Sequence, residues 1–205
     1  EGLAVSSDDV VYIADKGSES IFWGSKPSGI TTEPRGLAFD GTNLYILVDG
    51  DLTDHIVVID PDTGDLVTDF PAPSPKSVGM TYVESDGDRV SSGLYVTAWH
   101  EYPCYDPNGC GNNKEHSLYK IDPSILDQQG RPQVTQRQLW AEGHVQRYTG
   151  LTYNGEFLIA VPEQGGPAQL FDEDGNRHGE MHFYSTQQWG HNEGLDSLAY
   201  YEDRQ

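Results

Sequence analysis

Residues 35–70 read RGLAFDGTNLYILVDGDLTDHIVVIDPDTGDLVTDF, and this stretch decides the fold. Four short runs rich in β-branched, aromatic and other apolar residues occupy 36–39, 44–48, 56–59 and 66–70. Gly, Asp and Pro turn signals separate the runs, and no helical period is present. The pattern therefore predicts a four-stranded antiparallel meander. Such a sheet has two apolar faces and cannot bury both alone, so we expect neighbouring sheets of the same kind.

The opening motif of this stretch, a glycine followed by an apolar and a small residue, recurs along the chain. Copies begin at Gly2, Gly36, Gly79 and Gly150, with a looser fifth at Ser197, and they start 34, 43, 71 and 47 residues apart. Periods of roughly 40 to 50 residues with four strands each are typical of propeller blades. We therefore predict an all-β fold, a β-propeller built of four-stranded antiparallel blades.

About four complete blades plus one strand are expected, as part of a larger ring. The predicted blades span approximately residues 1–34, 35–76, 77–148 and 149–193, and a further blade starts at 194–205. The alternative is that this last strand completes the opening blade. Any helix is expected to be confined to about one turn near residues 124–128.

The segment GLAFDGTNLYI at 36–46, closed by IDPDTG at 59–64, resembles blades of YVTN-type and NHL-type β-propellers. The resemblance covers nearly the whole chain at the level of single blades and is generic to the family. Propellers of this kind serve as extracellular binding scaffolds, as repeat segments of large surface proteins and, with a metal in the central channel, as lactonases and related hydrolases. The chain matches no catalytic subgroup residue by residue, so the resemblance implies no catalytic residues.

The charge of the chain limits its partners. Its 205 residues include 33 Asp and Glu against 12 Lys and Arg, which gives a formal net charge of −21. Nucleic acids and anionic membranes are bound by basic patches, so this charge argues against both. No run of 18 apolar residues is present, so we expect no membrane insertion. The acidic composition favours an extracellular or saline setting, or a bound cation.

The two cysteines, Cys104 and Cys110, enclose an Asp-Pro-Asn-Gly turn in an insertion of the third predicted blade. That blade carries extra residues at 84–93, 99–117 and 124–133. Two nearby cysteines without a second Cys pair favour a local disulfide over a zinc site. A disulfide would imply an extracellular, periplasmic or cell-surface location. Reduced cytosolic thiols are the alternative.

Strand direction alternates within a blade, so the loops between second and third strands and the connections to the next blade emerge on one face. These loops carry aromatic, imidazole and carboxylate groups that we predict to form a ligand-binding face: Trp99, His100, Glu101, His144, Glu163, Trp189, His191 and Glu193. We expect a divalent cation at Asp49, Asp51 and Glu193, calcium if only oxygens converge and zinc or a similar metal if two imidazoles do. A solvated acidic rim with surface histidines explains the carboxylates equally well.

Two functions of different classes fit these features. The first is an extracellular or cell-surface propeller that acts as a non-catalytic binding or assembly module for a protein or carbohydrate partner. The remaining blades, or another copy of the chain, are further expected partners. The second is a metal-dependent hydrolase or lactonase in which the metal activates water and a His or carboxylate moves the proton. No common catalytic signature is present, which favours the first.

Overall fold

A computed structural model describes residues 2–5, 11–15, 20–22, 34–50, 53–84, 89–101, 114–128, 131–139, 148–162 and 166–182. These residues form β-strands joined by turns and include no helix. The first sheet contains β1 (Gly2–Val5), β2 (Val11–Asp15) and β3 (Ser20–Phe22). The second contains β4 (Pro34–Phe39), β5 (Leu44–Val48), β6 (His55–Ile59) and β7 (Leu66–Pro71). The third contains β8 (Ser77–Val83), β9 (Gly93–Glu101), β10 (Lys114–Leu126) and β11 (Pro132–Leu139). The fourth contains β12 (Tyr148–Tyr153), β13 (Leu158–Pro162), β14 (Ala168–Phe171) and β15 (Arg177–Met181).

Each sheet is an antiparallel meander in which strand order follows the chain. Three of the described sheets have four strands, and the described part of the first has three. The four runs predicted at 36–39, 44–48, 56–59 and 66–70 correspond to β4, β5, β6 and β7. The all-β prediction and the meander of residues 35–70 are therefore confirmed.

Both faces of β5, in the second sheet, are buried, as the apolar composition of this strand requires. Along β5, Tyr45 and Leu47 belong to a core cluster shared with Met80 and Val96 of the third sheet. The alternate residues of the same strand, Leu44, Ile46 and Val48, belong to a separate cluster on the other face. Successive side chains of a strand point to opposite faces, so a continuous apolar run buries both faces only when neighbouring sheets cover them.

The sheets pack side by side through their first strands: β1 contacts β4, β4 contacts β8, and β8 contacts β12. The repeated glycine lies where these strands approach each other. A Cβ atom on Gly36 would lie 3.3 Å from the Met80 backbone nitrogen, and one on Gly79 would lie 3.1 Å from the Leu151 nitrogen. The motif therefore begins with glycine because the neighbouring blade leaves little room for a side chain.

The third sheet differs from the prediction in two places. Residues 99–101 were expected in a loop, but β9 continues through Glu101, which pairs with Lys114 of β10. Residues 124–133 were expected to form an inserted connection with at most one helical turn, but β10 remains a strand to Leu126, which pairs with Pro132 after an irregularity in the register. In both places the longer hairpin supplies cross-strand partners for the backbone groups, which a loop would have left to water.

Several predicted features lie outside the described residues. These are the fourth strand of the first blade, the cysteine insertion, and the start of a further blade at 194–205. No helix able to span a membrane was found in the part of the chain that the structure describes.

Candidate functional site

The alternation of strand direction places two kinds of connection on one side of the sheets. We call this side the loop face. It carries the connections after the second and fourth strands, including the described residues 49–50, 53–54 and 72–76, together with the adjoining strand ends. The opposite face carries the other turns, including residues 60–65 and 172–176.

Charged side chains meet on the loop face where the second sheet packs against the third. Arg35, at the start of β4, is hydrogen-bonded through Nη2 to Asp49, and its Nη1 lies 3.7 Å from Asp54 Oδ2. The Ser77 amide of β8 donates to the same Asp54 oxygen over 2.7 Å. The Asp54 carbonyl accepts from the Ala72 amide at 2.8 Å. We call this group of residues the second–third seam, since it joins the two sheets.

Asp54 is the unusual member of this seam. Its side chain is 0% exposed, and its Oδ1 atom has no hydrogen-bond partner among the described residues. Burial, with a smaller effect of the Asp49 charge, raises the pKa of this carboxyl to about 6, although the Ser77 amide, the Arg35 guanidinium and the Gly50 amide lower it in part. A buried carboxylate that is only partly paired costs free energy at neutral pH.

The turn that brings Asp54 to this position depends on Gly50. A Cβ atom at Gly50 would lie 2.0 Å from the Thr53 carbonyl oxygen, which is closer than real side chains approach. The Thr53 carbonyl therefore packs directly against Gly50, and a side chain at position 50 would have to push it away. Two carboxylates of this connection, Asp49 and Asp54, approach the same arginine.

Trp99 is held beside the seam. Its ring is 7% exposed and lies under the Lys76 ammonium, whose nitrogen is 3.9 Å from the ring centroid. The Trp99 amide also donates to the Lys76 carbonyl over 3.1 Å. Because Lys76 covers the ring, a ligand can stack on Trp99 only if Lys76 moves. The cation held by the ring is the group that this pair presents at the surface.

The other predicted site residues are placed as follows. His100 and Glu101 follow Trp99 at the end of β9, and Asp49 is bound to Arg35. Outside the described residues lie Asp51, Cys104, Cys110, His144, Glu163, Trp189, His191 and Glu193. The described residues contain no group of three or more His, Cys, Asp or Glu side chains that could hold a metal ion.

Sequence reasoning missed Arg35, Asp54, Lys76 and His116 as members of the loop face. His116, opposite Trp99 in the β9–β10 ladder, is buried at 6% exposure, and its ring meets that of Tyr148 edge-on. Asp54 lies in the same acidic loop as Asp49, and this is the one signal that the sequence offered. The contacts of Arg35 and Lys76 depend on how the chain folds back, so no local pattern marks them.

A second polar group joins the third and fourth sheets on the opposite face. Glu173 Oε2 accepts from the Ser91 amide at 3.1 Å, from the Ser91 hydroxyl, and from Tyr95 at 3.3 Å. Lys120 lies 3.8 Å from the same oxygen and also bonds to Ser91. Burial acts to raise the pKa of Glu173, but the Ser91 bonds, Lys120 and Tyr95 together lower it below its ordinary value. We call this group the third–fourth seam.

The comparisons with known proteins define a class of fold. No protein-family model matches the chain, and no curated protein matches it. Among solved structures, it is similar to hydrazine synthase of Kuenenia stuttgartiensis, with 16% identity and a TM-score of 0.53. It is also similar to the β-propeller domain of Cps50 (Swd1) of Myceliophteria thermophila, with 9% identity and a TM-score of 0.50.

The first match covers 85% of this chain and 64% of the hydrazine synthase chain, so this chain spans less than two thirds of that protein. The second covers 97% of this chain and 76% of the Cps50 domain. At these identities the matches show the fold alone. Together with the consecutive four-stranded sheets, they define the chain as a β-propeller.

Proposed function

We propose that the chain is a non-catalytic binding or assembly module of an extracellular, periplasmic or cell-surface protein. Its partner is a protein or a carbohydrate, and the partner binds on the loop face at the second–third seam. The observation that carries the proposal is the set of charged groups fixed there by contacts from two sheets.

These groups are accessible and yet held in place. The Arg35 side chain is 28% exposed and that of Asp49 is 39% exposed, and they bind each other. Lys76 is held over Trp99, and the next residue, Ser77, contacts Asp54. Side chains that are already ordered lose less entropy when a partner binds. This arrangement therefore favours recognition of a polar partner with both donor and acceptor groups.

The loop face also carries the groups that polar partners use. Arginine presents several donors in a fixed geometry, and lysine and aspartate present single charges of opposite sign. In a chain of net charge −21, Arg35 and Lys76 are two of only 12 Lys and Arg residues. Their position on one face gives that face a mixed charge pattern, which favours a partner that is itself polar and of mixed charge.

A paired set of variants tests the proposal. Asp49→Asn with Lys76→Gln removes one charge of each sign from the loop face and leaves Arg35 and Asp54 in place. Arg89→Gln with Glu156→Gln does the same on the opposite face, where the two side chains lie 3.3 Å apart. Wild type and both variants are applied to a glycan array and to an array of extracellular protein domains.

The proposal expects wild type to bind at least one probe and the loop-face variant to bind it about tenfold more weakly, which is about 1.4 kcal/mol. The opposite-face variant should bind within about twofold of wild type. Far-UV circular dichroism establishes that both variants are folded. Equal affinity of all three proteins, or equal loss in both variants, would place the partner elsewhere.

A further inference from the structure

The Asp54 carboxyl is the point at which the loop between β5 and β6 is tied to the third sheet. Its Oδ2 atom accepts from the Ser77 amide, and its backbone carbonyl accepts from the Ala72 amide in the connection to β8. The Ser77 donor lies in the third sheet, so its contact exists only when the two sheets are docked, and the Ala72 bond lies next to the His55–Pro71 pair at the end of the β6–β7 ladder. Opening of the loop would break both bonds and bring the carboxyl into water.

The surroundings of Asp54 are poor for a negative charge. Arg35 of β4 faces it at 3.7 Å, which is long for an ion pair. Arg35 also binds Asp49, whose negative charge disfavours ionisation of Asp54. The uncharged backbone amides of Ser77, at the start of β8, and of Gly50 lower the pKa of Asp54 in part, while the Lys76 ammonium lies over Trp99. The second carboxylate oxygen has no hydrogen-bond partner among the described residues.

We propose that Asp54 is a proton-operated latch on the loop face: the second–third seam holds Asp54 against Ser77 of the third sheet more firmly when Asp54 is protonated than when it is ionised. The latch lies beneath Arg35 and Asp49, so it controls the part of the loop face assigned above to partner binding. It rests on the geometry of the seam, and it can be tested without a partner.

The direction follows from the cost of burying the charge. In the closed seam the pKa of Asp54 is raised from 3.8 to about 6, so the closed state binds the proton more tightly than an opened, hydrated state does. The extra stability of the closed seam is complete below pH 3.8 and is lost as the pH rises through about 6. Between pH 5 and pH 7 the opening equilibrium should therefore rise about tenfold.

Amide hydrogen exchange at single residues measures this equilibrium. The Ser77 and Ala72 amides are both bonded to Asp54, so their protection factors, corrected for the pH dependence of intrinsic exchange, report on the latch. In wild type these factors should fall by about tenfold from pH 5 to pH 7. In Asp54→Asn, which keeps an acceptor for the Ser77 amide and cannot ionise, they should not change. The Glu173 amide, bonded to the Arg89 carbonyl, is the internal control in both proteins.

A carbon-13 carboxyl titration of wild type provides a second measurement that needs no variant. A midpoint above about pH 5 for Asp54 supports the latch, and a midpoint near or below the ordinary range of about 3.9 overturns it. Protection factors of Ser77 and Ala72 that are independent of pH in wild type, or that fall equally in Asp54→Asn, also overturn it. If the latch holds while the arrays show no binding at the loop face, the proposed function fails and the latch stands.

Discussion

Each of the two seams between sheets contains a partly or fully buried carboxylate, and the pKa values of the two carboxylates shift in opposite directions. At the second–third seam, Asp54 is fully buried, its closest cation is 3.7 Å away, and its pKa is raised to about 6. At the third–fourth seam, Glu173 is 30% exposed, accepts from Ser91 and Tyr95, lies beside Lys120, and has a lowered pKa. Burial opposes the charge in both cases; the deeper burial of Asp54 and the larger number of close donors around Glu173 together decide the direction of each pKa shift.

This difference in pKa separates a carboxylate that stabilises the fold when ionised from one that destabilises it when ionised. The charge of Glu173 stabilises the fold at neutral pH, because each of its contacts favours the ionised form. The charge of Asp54 costs stability at neutral pH, because part of its hydrogen-bonding capacity is unused. A destabilised group beside accessible charges is typical of functional positions rather than of sites that only hold a fold together.

The largest expected effect comes from adding a side chain where the first strands of neighbouring sheets pack against each other. In Gly79→Ala the new Cβ atom would lie 2.8 Å from Thr97 Oγ1 and 3.1 Å from the Leu151 nitrogen, so the backbones of the third and fourth sheets must move apart. We expect a loss of about 2 to 3 kcal/mol in the free energy of unfolding, measured by urea denaturation. Gly36→Ala, whose Cβ atom would lie 3.3 Å from its nearest neighbours, should cost about 1 kcal/mol. Equal losses in both variants would mean that the first strands of the second and third sheets are packed as closely as those of the third and fourth sheets.

Glu173→Ala tests the third–fourth seam, in which the carboxylate is hydrogen-bonded to several donors. It leaves Ser91 and Lys120 without their shared acceptor, and it should lower the free energy of unfolding by about 1 to 2 kcal/mol at pH 7. Because the pKa of Glu173 is lowered, this contribution is present above the unfolded pKa and is lost as the pH falls through the folded value. The difference from wild type should thus shrink below about pH 4.5.

The control for this measurement is Glu156→Ala, on the same face. The Glu156 side chain is 58% exposed and pairs with Arg89 at 3.3 Å, so its loss should cost no more than about 0.5 kcal/mol. A Glu173→Ala variant no less stable than Glu156→Ala would show that the network around Ser91 does not join the sheets.

The smallest expected effect lies in a turn, away from both seams. Asp60 Oδ1 accepts from the Asp62 amide at 2.8 Å and from the Thr63 amide at 3.3 Å. Asp60→Ala should therefore cost about 0.5 to 1 kcal/mol in thermal or urea unfolding, with no change in the pH dependence near 6. Asp62→Ala, at an exposed position of the same turn, should change stability by less than about 0.5 kcal/mol. A loss in Asp60→Ala as large as that in Glu173→Ala would remove the distinction between turn and seam carboxylates.

The turns show what local sequence can predict. The DPDTG turn was predicted from its composition, and the structure shows Asp60 bonded to the amides that follow, with Gly64 at a φ of 75°. The Asp172 to Asn176 turn has the same character: Asp172 accepts from the Asn176 amide at 2.8 Å, and Gly175 has a φ of 77°. These interactions span a few residues, so the residues that make them stand together in the sequence.

The candidate site could be predicted only in part. Alternation of strand direction placed Asp49, Trp99, His100 and Glu101 on one face, because that rule depends on the order of strands alone. It did not show that Trp99 would be covered by Lys76, or that Asp49 would be held by Arg35. Both contacts depend on side chains that meet after the chain has folded back.

The sequence by itself determined the strands, their order within each sheet, the turns, and the glycine that opens each repeat. All of these follow from the period of apolar residues and from backbone conformations that few residue types adopt. Only the tertiary structure decided which carboxylates destabilise the fold when they are ionised. Asp54 and Glu173 are both acidic residues in connections between strands, and nothing in their neighbouring residues distinguishes them. Their pKa values diverge because burial and donors come from residues 23 and 82 positions away, which only the packing of one sheet on the next brings into contact.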